Sequence, residues 1–83
     1  MINKVKIAGT GTEEDPIVII ANDEFTGVNS EYEYLEYLYG EQNVDWRLDK
    51  QQLMISGNKY YDVLNIELRD GKQLSFWFDI NSF

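Results

Sequence analysis

The residues of this chain that could do chemistry are carboxylates and tyrosines. Fifteen of the 83 residues are Asp or Glu and six are Tyr, while His and Cys are absent. Paired carboxylates can serve as general acid and base in glycoside hydrolysis. The absence of His and Cys removes Ser-His-Asp and Cys-His catalysis and the usual zinc ligands. We therefore expect no metal and no cofactor.

A pair of catalytic carboxylates also needs a cleft that holds the substrate. Ligand pockets usually enclose ~300 Å³ or more. We expect a chain of 83 residues to be too small to form such a pocket while it keeps a core. The sequence therefore predicts a protein without enzymatic activity.

Two short motifs lack the context that their chemistry requires. The glycine-rich segment Gly9–Thr12 is followed by Glu13, Glu14 and Asp15, whereas a phosphate loop needs a helix N-terminus and usually a lysine. The run Asn22-Asp23-Glu24 lacks the ligand spacing of a calcium loop. The segment from Gly9 to Ile17 resembles the leading segment of some bacterial surface and β-helical domains, and this resemblance implies no function.

The charge of the chain is negative and unevenly distributed. The formal net charge is −8, and the stretch between Lys6 and Arg47 contains ten acidic residues and no basic one. Such a surface repels phosphates and anionic lipids and attracts basic surfaces. We therefore expect no direct binding of nucleic acid or membrane. The alternative is that the acidity serves only solubility.

The length and the residue usage predict a single domain over residues 1–83. Without cysteine there are no disulfides, although small secreted domains usually depend on them. Residues 1–20 carry charges and lack the continuous apolar h-region of a signal peptide, so a signal peptide is not expected. These observations favour a cytoplasmic protein.

One helix is expected from Ser30 to Gly40. Ser30 and Glu33 have the spacing of a capping box, and Gly40 is suited to end the helix. Four residues at helical spacing predict an apolar stripe that packs on a sheet: Tyr32, Leu35, Leu38 and Tyr39.

Two hairpins are expected in the second half of the chain. A three-residue loop with Gly71 at its left-handed position pairs Ile66 with Leu74 and Leu64 with Phe76, which puts both apolar rows on one face. A two-residue Gly57-Asn58 turn joins a strand over about residues 44–55 to a strand that starts at Tyr60.

The Gly57-Asn58 turn pairs Ile55 with Tyr60 and Leu53 with Asp62, so Leu53 and Ile55 are expected on the core face. The apolar residues Trp46 and Leu48 have the opposite parity, which predicts a β-bulge within residues 49–52.

Together with strands at residues 4–7 and 17–20, these elements predict an α+β fold. The expected order is β-β-α-β-β-β, with a C-terminal three-stranded antiparallel meander and a short helix on one face of the sheet.

Two surfaces are candidates for binding a partner. The first is the exposed side of the helix, where acids surround tyrosines that lie off the apolar stripe; tyrosine is common in binding hot spots. The second is the sheet face opposite the core, which carries Met54, Val63 and two aromatic residues. The predicted binding residues are Glu31, Glu33, Tyr34, Glu36, Tyr37, Glu41, Tyr61 and Trp77.

These features favour a stoichiometric binder that masks a basic surface of another protein, such as a nuclease or a toxin. Two settings suit it: an immunity protein that neutralises a nuclease toxin, and a phage inhibitor of a bacterial defence nuclease, of the anti-CRISPR type, whose carboxylates mimic phosphates. The alternative is a structural or assembly module, either monomeric or a homodimer formed through the exposed sheet face or an edge strand.

Overall fold

One helix packs on one face of a four-stranded sheet, in a computed structural model that describes residues 9–20 and 23–81 and only the backbone of Glu24 and Phe25. The α+β class and the C-terminal meander are confirmed. The strand predicted at residues 4–7 lies outside the described residues. The elements in chain order are β1 (Ile17–Val18), α1 (Glu24–Tyr39), β2 (Trp46–Ser56), β3 (Lys59–Leu68) and β4 (Gln73–Asp79).

The spatial order of the strands differs from their order in the chain. The sheet runs β1-β4-β3-β2, so that β4 is interior and β2 lies at an edge of the described sheet. Strand β1 pairs with β4 in parallel, with Ile17 opposite Phe78, while the other pairings are antiparallel. The loop before β1 also reaches β4, because the Trp77 amide donates a hydrogen bond to the Gly11 carbonyl at 2.7 Å.

Both predicted hairpin registers are confirmed. Ile66 lies opposite Leu74 and Leu64 opposite Phe76, while Ile55 lies opposite Tyr60. The turn glycines Gly57 and Gly71 have φ values of 61° and 93°, a region that side chains other than glycine rarely adopt. The predicted β-bulge is also present, because the register between β2 and β3 shifts between Leu48 and Lys50.

The predicted start of the helix is wrong. The helix begins at Glu24, and its N-cap is Asp23, whose carboxylate accepts a hydrogen bond from the Thr26 amide at 2.8 Å. Ser30 lies inside the helix, where its hydroxyl donates to the Thr26 carbonyl at 2.8 Å. The predicted end is confirmed, since Gly40 caps the helix and its amide donates to the Glu36 carbonyl.

The core lies between the helix and the sheet. Trp46 is held at its margin by a hydrogen bond of 2.9 Å from its indole N–H to the Gly40 carbonyl. This bond ties the end of α1 to the start of β2. The buried core residues are Ile17, Ile19, Leu35, Trp46, Leu64, Ile66, Phe76 and Phe78.

The helix covers only part of the sheet face that it packs on. Leu53 and Ile55 lie on that face through their pairing with Asp62 and Tyr60, yet their exposed fractions are 58% and 62%. Their expected place on the core face is therefore confirmed, but the helix does not cover them there. Leu38, predicted in the apolar stripe of the helix, is also exposed.

Candidate functional site

Part of the predicted acidic surface lies on the outer side of α1. Glu33, Glu36 and Tyr37 are exposed there, and their spacing of three and four residues puts them on one side of the helix. Tyr37 is 86% exposed. Glu41 follows directly after the helix and is also exposed. We call Glu33, Glu36, Tyr37 and Glu41 the acidic helix face.

The acidic helix face has no basic side chain to neutralise it within the helix. Among the described residues, the last turn of α1 contains no basic residue, and the ion pair that the structure shows joins Arg47 on β2 to Glu67 on β3. Unpaired carboxylates on one surface add up to a negative potential that extends into solvent. The face is therefore suited to attract a cationic partner.

The C-terminal end of this face is held in place by the chain that follows. The Glu41 amide donates a hydrogen bond to the Asp45 carboxylate at 2.8 Å. The Trp46 indole bond to Gly40 anchors the preceding residue. A binding surface that is ordered before binding loses less conformational entropy in the complex.

A shallow polar concavity adjoins the acidic helix face. It has a volume of about 380 Å³ and is lined by Asn29, Tyr32, Glu33, Glu36 and Gln42. Asn29, Tyr32 and Gln42 were not predicted as site residues. Its carboxylate and amide groups are suited to accept hydrogen bonds from lysine or arginine side chains.

Glu31 does not belong to this exposed surface. Its side chain is fully buried beneath the helix, and neither carboxyl oxygen accepts a hydrogen bond from a described N–H or O–H group. The expectation that Glu31 is exposed with the other acids is wrong. The spacing could have indicated this, because Glu31 lies four residues before the buried Leu35 and so shares its side of the helix.

Glu31 is a strongly perturbed acid. The pKa of Glu31 is raised from 4.5 to about 9, chiefly by burial. The neighbouring Asp62 carboxyl adds to the rise through a hydrogen bond between the two carboxyl groups and through its negative charge. Asp62 lies on β3 and is 8% exposed. At neutral pH, Glu31 therefore keeps its proton.

Tyr34 also differs from the prediction. It is half-buried, and its ring packs edge-on against Phe78 with the ring centroids 6.2 Å apart and the planes at 86°. Tyr34 thus contributes to the core rather than to an exposed surface. Of the two tyrosines predicted off the stripe, only Tyr37 points into solvent.

The second predicted surface, on the sheet face opposite the core, is partly buried. Tyr61 and Trp77 lie on neighbouring strands with their ring centroids 5.8 Å apart, and both are half-buried. Val63, on the same face, is buried, whereas Met54 is 38% exposed. The two aromatic residues predicted here do come together, but among the described residues of this face Val63 is buried and only Met54 is a markedly exposed apolar neighbour.

The largest concavity described lies elsewhere. A groove of about 690 Å³ runs between α1 and the ends of β2, β3 and β4, so the expectation that the chain cannot form a pocket above ~300 Å³ is wrong. The uncovered end of the sheet forms one wall of this groove. Its lining residues are Val28, Gln51, Leu53, Asn58, Tyr60, Asp62, Ile80 and Asn81.

The sequence contains a signal for Asp62 in the alternation of β3. In β3, the residues that face the helix alternate, and Asp62 occupies such a position next to Leu64. A carboxylate in a row of core-facing residues is rare unless it has a partner or a function. A second signal marks Glu31, the helix residue that meets it, because Glu31 lies one helical turn before the buried Leu35.

The described residues contain neither a metal-site geometry nor a membrane-spanning helix. No group of three or more acidic, His or Cys side chains has the geometry of a metal site in the part of the chain that the structure describes. Within residues 9–20 and 23–81, no helix has the length and apolar character needed to cross a membrane.

Comparisons with protein-family models, with curated proteins and with solved structures gave no match to this chain.

Proposed function

We propose that this protein is a non-enzymatic binder that masks a basic surface of another protein, and that the acidic helix face is its contact surface. The observation that carries the proposal is the exposure of Glu33, Glu36 and Glu41 around Tyr37 without a basic residue between Lys6 and Arg47. A nuclease or a toxin is the proposed partner, in a toxin-immunity or phage anti-defence setting. The proposed compartment is the cytoplasm.

The physical basis of binding is electrostatic steering followed by anchoring. Carboxylates without a basic partner among the described residues accelerate the approach of a cationic surface. Tyr37 supplies a rigid aromatic ring that orders with little loss of side-chain entropy. The carboxylates then occupy the positions that nucleic-acid phosphates would take on the partner.

A charge-reversal variant tests the proposal. The variant Glu33→Lys, Glu36→Lys and Glu41→Lys should fold normally, because all three side chains are exposed. The tagged wild-type protein would be used to capture partners from a lysate of the source cell or its host, with quantification by mass spectrometry. A single basic protein should be retained by the wild type in stoichiometric amounts and lost with the variant.

A matched control separates this surface from total charge. The variant Glu13→Lys, Glu14→Lys and Asp49→Lys alters three other exposed acids and changes the net charge by the same amount. It should retain the partner. Retention should also weaken with salt, because the Debye length falls from about 10 Å at 0.1 M to about 3 Å at 1 M. Equal losses with both variants would refute the acidic helix face as the contact surface.

A second candidate function is self-association through β2. This strand has 11 residues and lies at an edge of the described sheet, with the exposed apolar residues Leu53 and Ile55 near its end. Long edge strands are templates for pairing with another chain. The bulge at Asp49 and the charge of Lys50 oppose such pairing, which is why we rank it second.

Sedimentation analysis distinguishes the two functions. A homodimer formed through β2 should persist at high salt and dissociate in Leu53→Lys and Ile55→Lys variants, whose folding should be unaffected because both residues are exposed. A dimer formed through the other sheet face should instead dissociate in Trp77→Asp. A monomer at all accessible concentrations would exclude both dimers.

A further inference from the structure

The groove of about 690 Å³ between α1 and the sheet has apolar walls and one acidic group. Leu53, Tyr60 and Ile80 form much of its apolar surface, and Gln51 and Asn81 add amide groups. Among the described residues that line it, Asp62 is the only charged one and none is Lys or Arg. A groove that combines apolar side chains with one carboxyl group suits a side chain that has an aliphatic stem and a cationic end.

The carboxylate in the groove lies against a second buried acid. Asp62 is 8% exposed, and Glu31 behind it is fully buried. Neither carboxyl oxygen of Glu31 accepts a hydrogen bond from a described N–H or O–H group. Buried acids in proteins are normally paired with a cation or satisfied by donors. The ion pair that the described residues form, between Arg47 and Glu67, involves neither of these acids. The groove therefore presents an acidic group that no described Lys or Arg pairs with.

We propose that this groove receives a lysine or arginine side chain of the partner protein, with its methylene stem along Leu53, Tyr60 and Ile80 and its cationic end at Asp62. The identity of the occupant as a partner's side chain rests on the proposed function. The existence of the site rests on the geometry of the groove and of the two buried acids.

The position of the groove supports this occupant. Tyr32 lines the concavity beside the acidic helix face, and its hydroxyl lies 3.4 Å from the Gln51 side-chain oxygen, which belongs to the groove. The two concavities are thus neighbours on one surface. A basic partner that lies on the acidic helix face can place one side chain in the groove without a change in the fold.

The two acids make binding of the cation sensitive to pH. Glu31 holds a proton in the free protein, since its pKa is about 9. The titratable groups around it are Asp62 on β3 and Tyr32 on the helix, whose own pKa is raised by burial and by both carboxyl groups. A cation at Asp62 lowers the pKa of Glu31, so binding releases protons and strengthens as the pH rises. Glu31 acts here as a positioning residue.

The test uses single blocked amino acids as probes in an NMR titration of the whole chain. N-acetyl-lysinamide and N-acetyl-argininamide should shift the amide signals of Gln51, Asp62 and Asn81. N-acetyl-norleucinamide and N-acetyl-citrullinamide, which match them in shape without the charge, should not. Equal binding of the neutral probes, or shifts confined to the acidic helix face, would overturn the proposal.

Two conservative variants complete the test. Asp62→Asn keeps the shape and should weaken binding of the cationic probes by a factor of about 10 or more, since a charged hydrogen bond is lost. Glu31→Gln should bind them with an affinity that no longer changes between about pH 6 and pH 8. Unchanged affinity in Asp62→Asn would refute the site.

These outcomes are separable from the proposed function. The Glu33, Glu36 and Glu41 charge-reversal variant should bind the small probes as the wild type does, because none of these residues lines the groove. If the probes bind while no basic partner is retained, the groove stands and the proposed function fails. If a partner is retained equally by wild type and Asp62→Asn, the groove is not its anchor.

Discussion

Replacing Glu31 by Gln should flatten the dependence of stability on pH. The Glu31 pKa is about 9 in the folded protein and 4.5 in an ordinary solvated state, so the folded state holds a proton that the unfolded state releases. Stability is therefore full below the unfolded pKa and falls as the pH rises, by about 1.4 kcal/mol per pH unit. Between about pH 4.5 and pH 7 the loss amounts to roughly 3 kcal/mol, a large part of the 5–15 kcal/mol typical of a domain.

The measurement is the free energy of unfolding in urea at several values between about pH 5 and pH 8. The buried Trp46, which is 2% exposed, provides a fluorescence signal for unfolding. The wild type should lose stability steeply across this range. Glu31→Gln carries an amide of nearly the same shape and cannot ionise, so its curve should stay closer to level and lie above the wild type at the upper end.

The control is Glu33→Gln, which removes a carboxyl from an exposed position of the same helix. It should follow the wild-type curve. Parallel curves for wild type and Glu31→Gln would refute the reasoning, since they would mean that the Glu31 carboxyl is solvated or already ionised in the folded protein.

Four further substitutions test the fold itself. Asp23→Ala removes the N-cap of α1 and should cost about 1 kcal/mol, with lower helicity in circular dichroism and a lower melting temperature. Leu35→Ala empties a fully buried core position and should lower the free energy of unfolding in urea by about 2–5 kcal/mol. Gly40→Ala should lower the melting temperature more than Gly57→Ala does. Gly40 has φ 108°, and a Cβ there would meet the Asp45 carboxylate. Gly57 has φ 61° and open space around it. A smaller loss for Gly40→Ala would contradict the structure at that cap.

The sheet was predictable because its turns carry local chemical signals. Gly71 and Gly57 fix the lengths of the two hairpin loops, and only one register puts Leu64, Ile66 and Leu74 on the same face. The bulge at Asp49 followed from the parity of the apolar residues in β2. None of these inferences depended on where the helix lies.

The helix start was not predictable from the same local signals. The residues between Asp23 and Ser30 include Gly27, Val28 and Asn29, which are poor helix formers. Their propensity was overridden by the Asp23 cap and by packing, since Gly27 is buried in the fold. Ser30 and Glu33 have the spacing of a capping box, but both lie inside the longer helix, which begins at Glu24.

The candidate site was predictable only in part, because exposure depends on how the helix is placed on the sheet. Glu33, Glu36, Tyr37 and Glu41 are exposed as expected. Glu31 and Tyr34 face inward. Glu31 precedes the buried Leu35 by one helical turn, so spacing alone indicated its side, whereas the position of Tyr34 depends on its tertiary contact with Phe78. The meeting of Glu31 with Asp62 is a tertiary contact between residues far apart in sequence, and no local rule reveals it.

The interior position of β4 has a consequence for how the chain reaches its native state. The parallel pairing of Ile17 with Phe78 closes a loop that contains α1, β2 and β3. The conformational entropy lost in closing a loop rises with the length of the loop. The β2–β3 hairpin can form from neighbouring residues, but β1 gains its partner only after β4 has been added to the hairpin. We therefore expect slow folding for so small a domain and no stable structure in fragments that stop before β4, so that the helix and its acids are presented only by a chain that has folded as a whole.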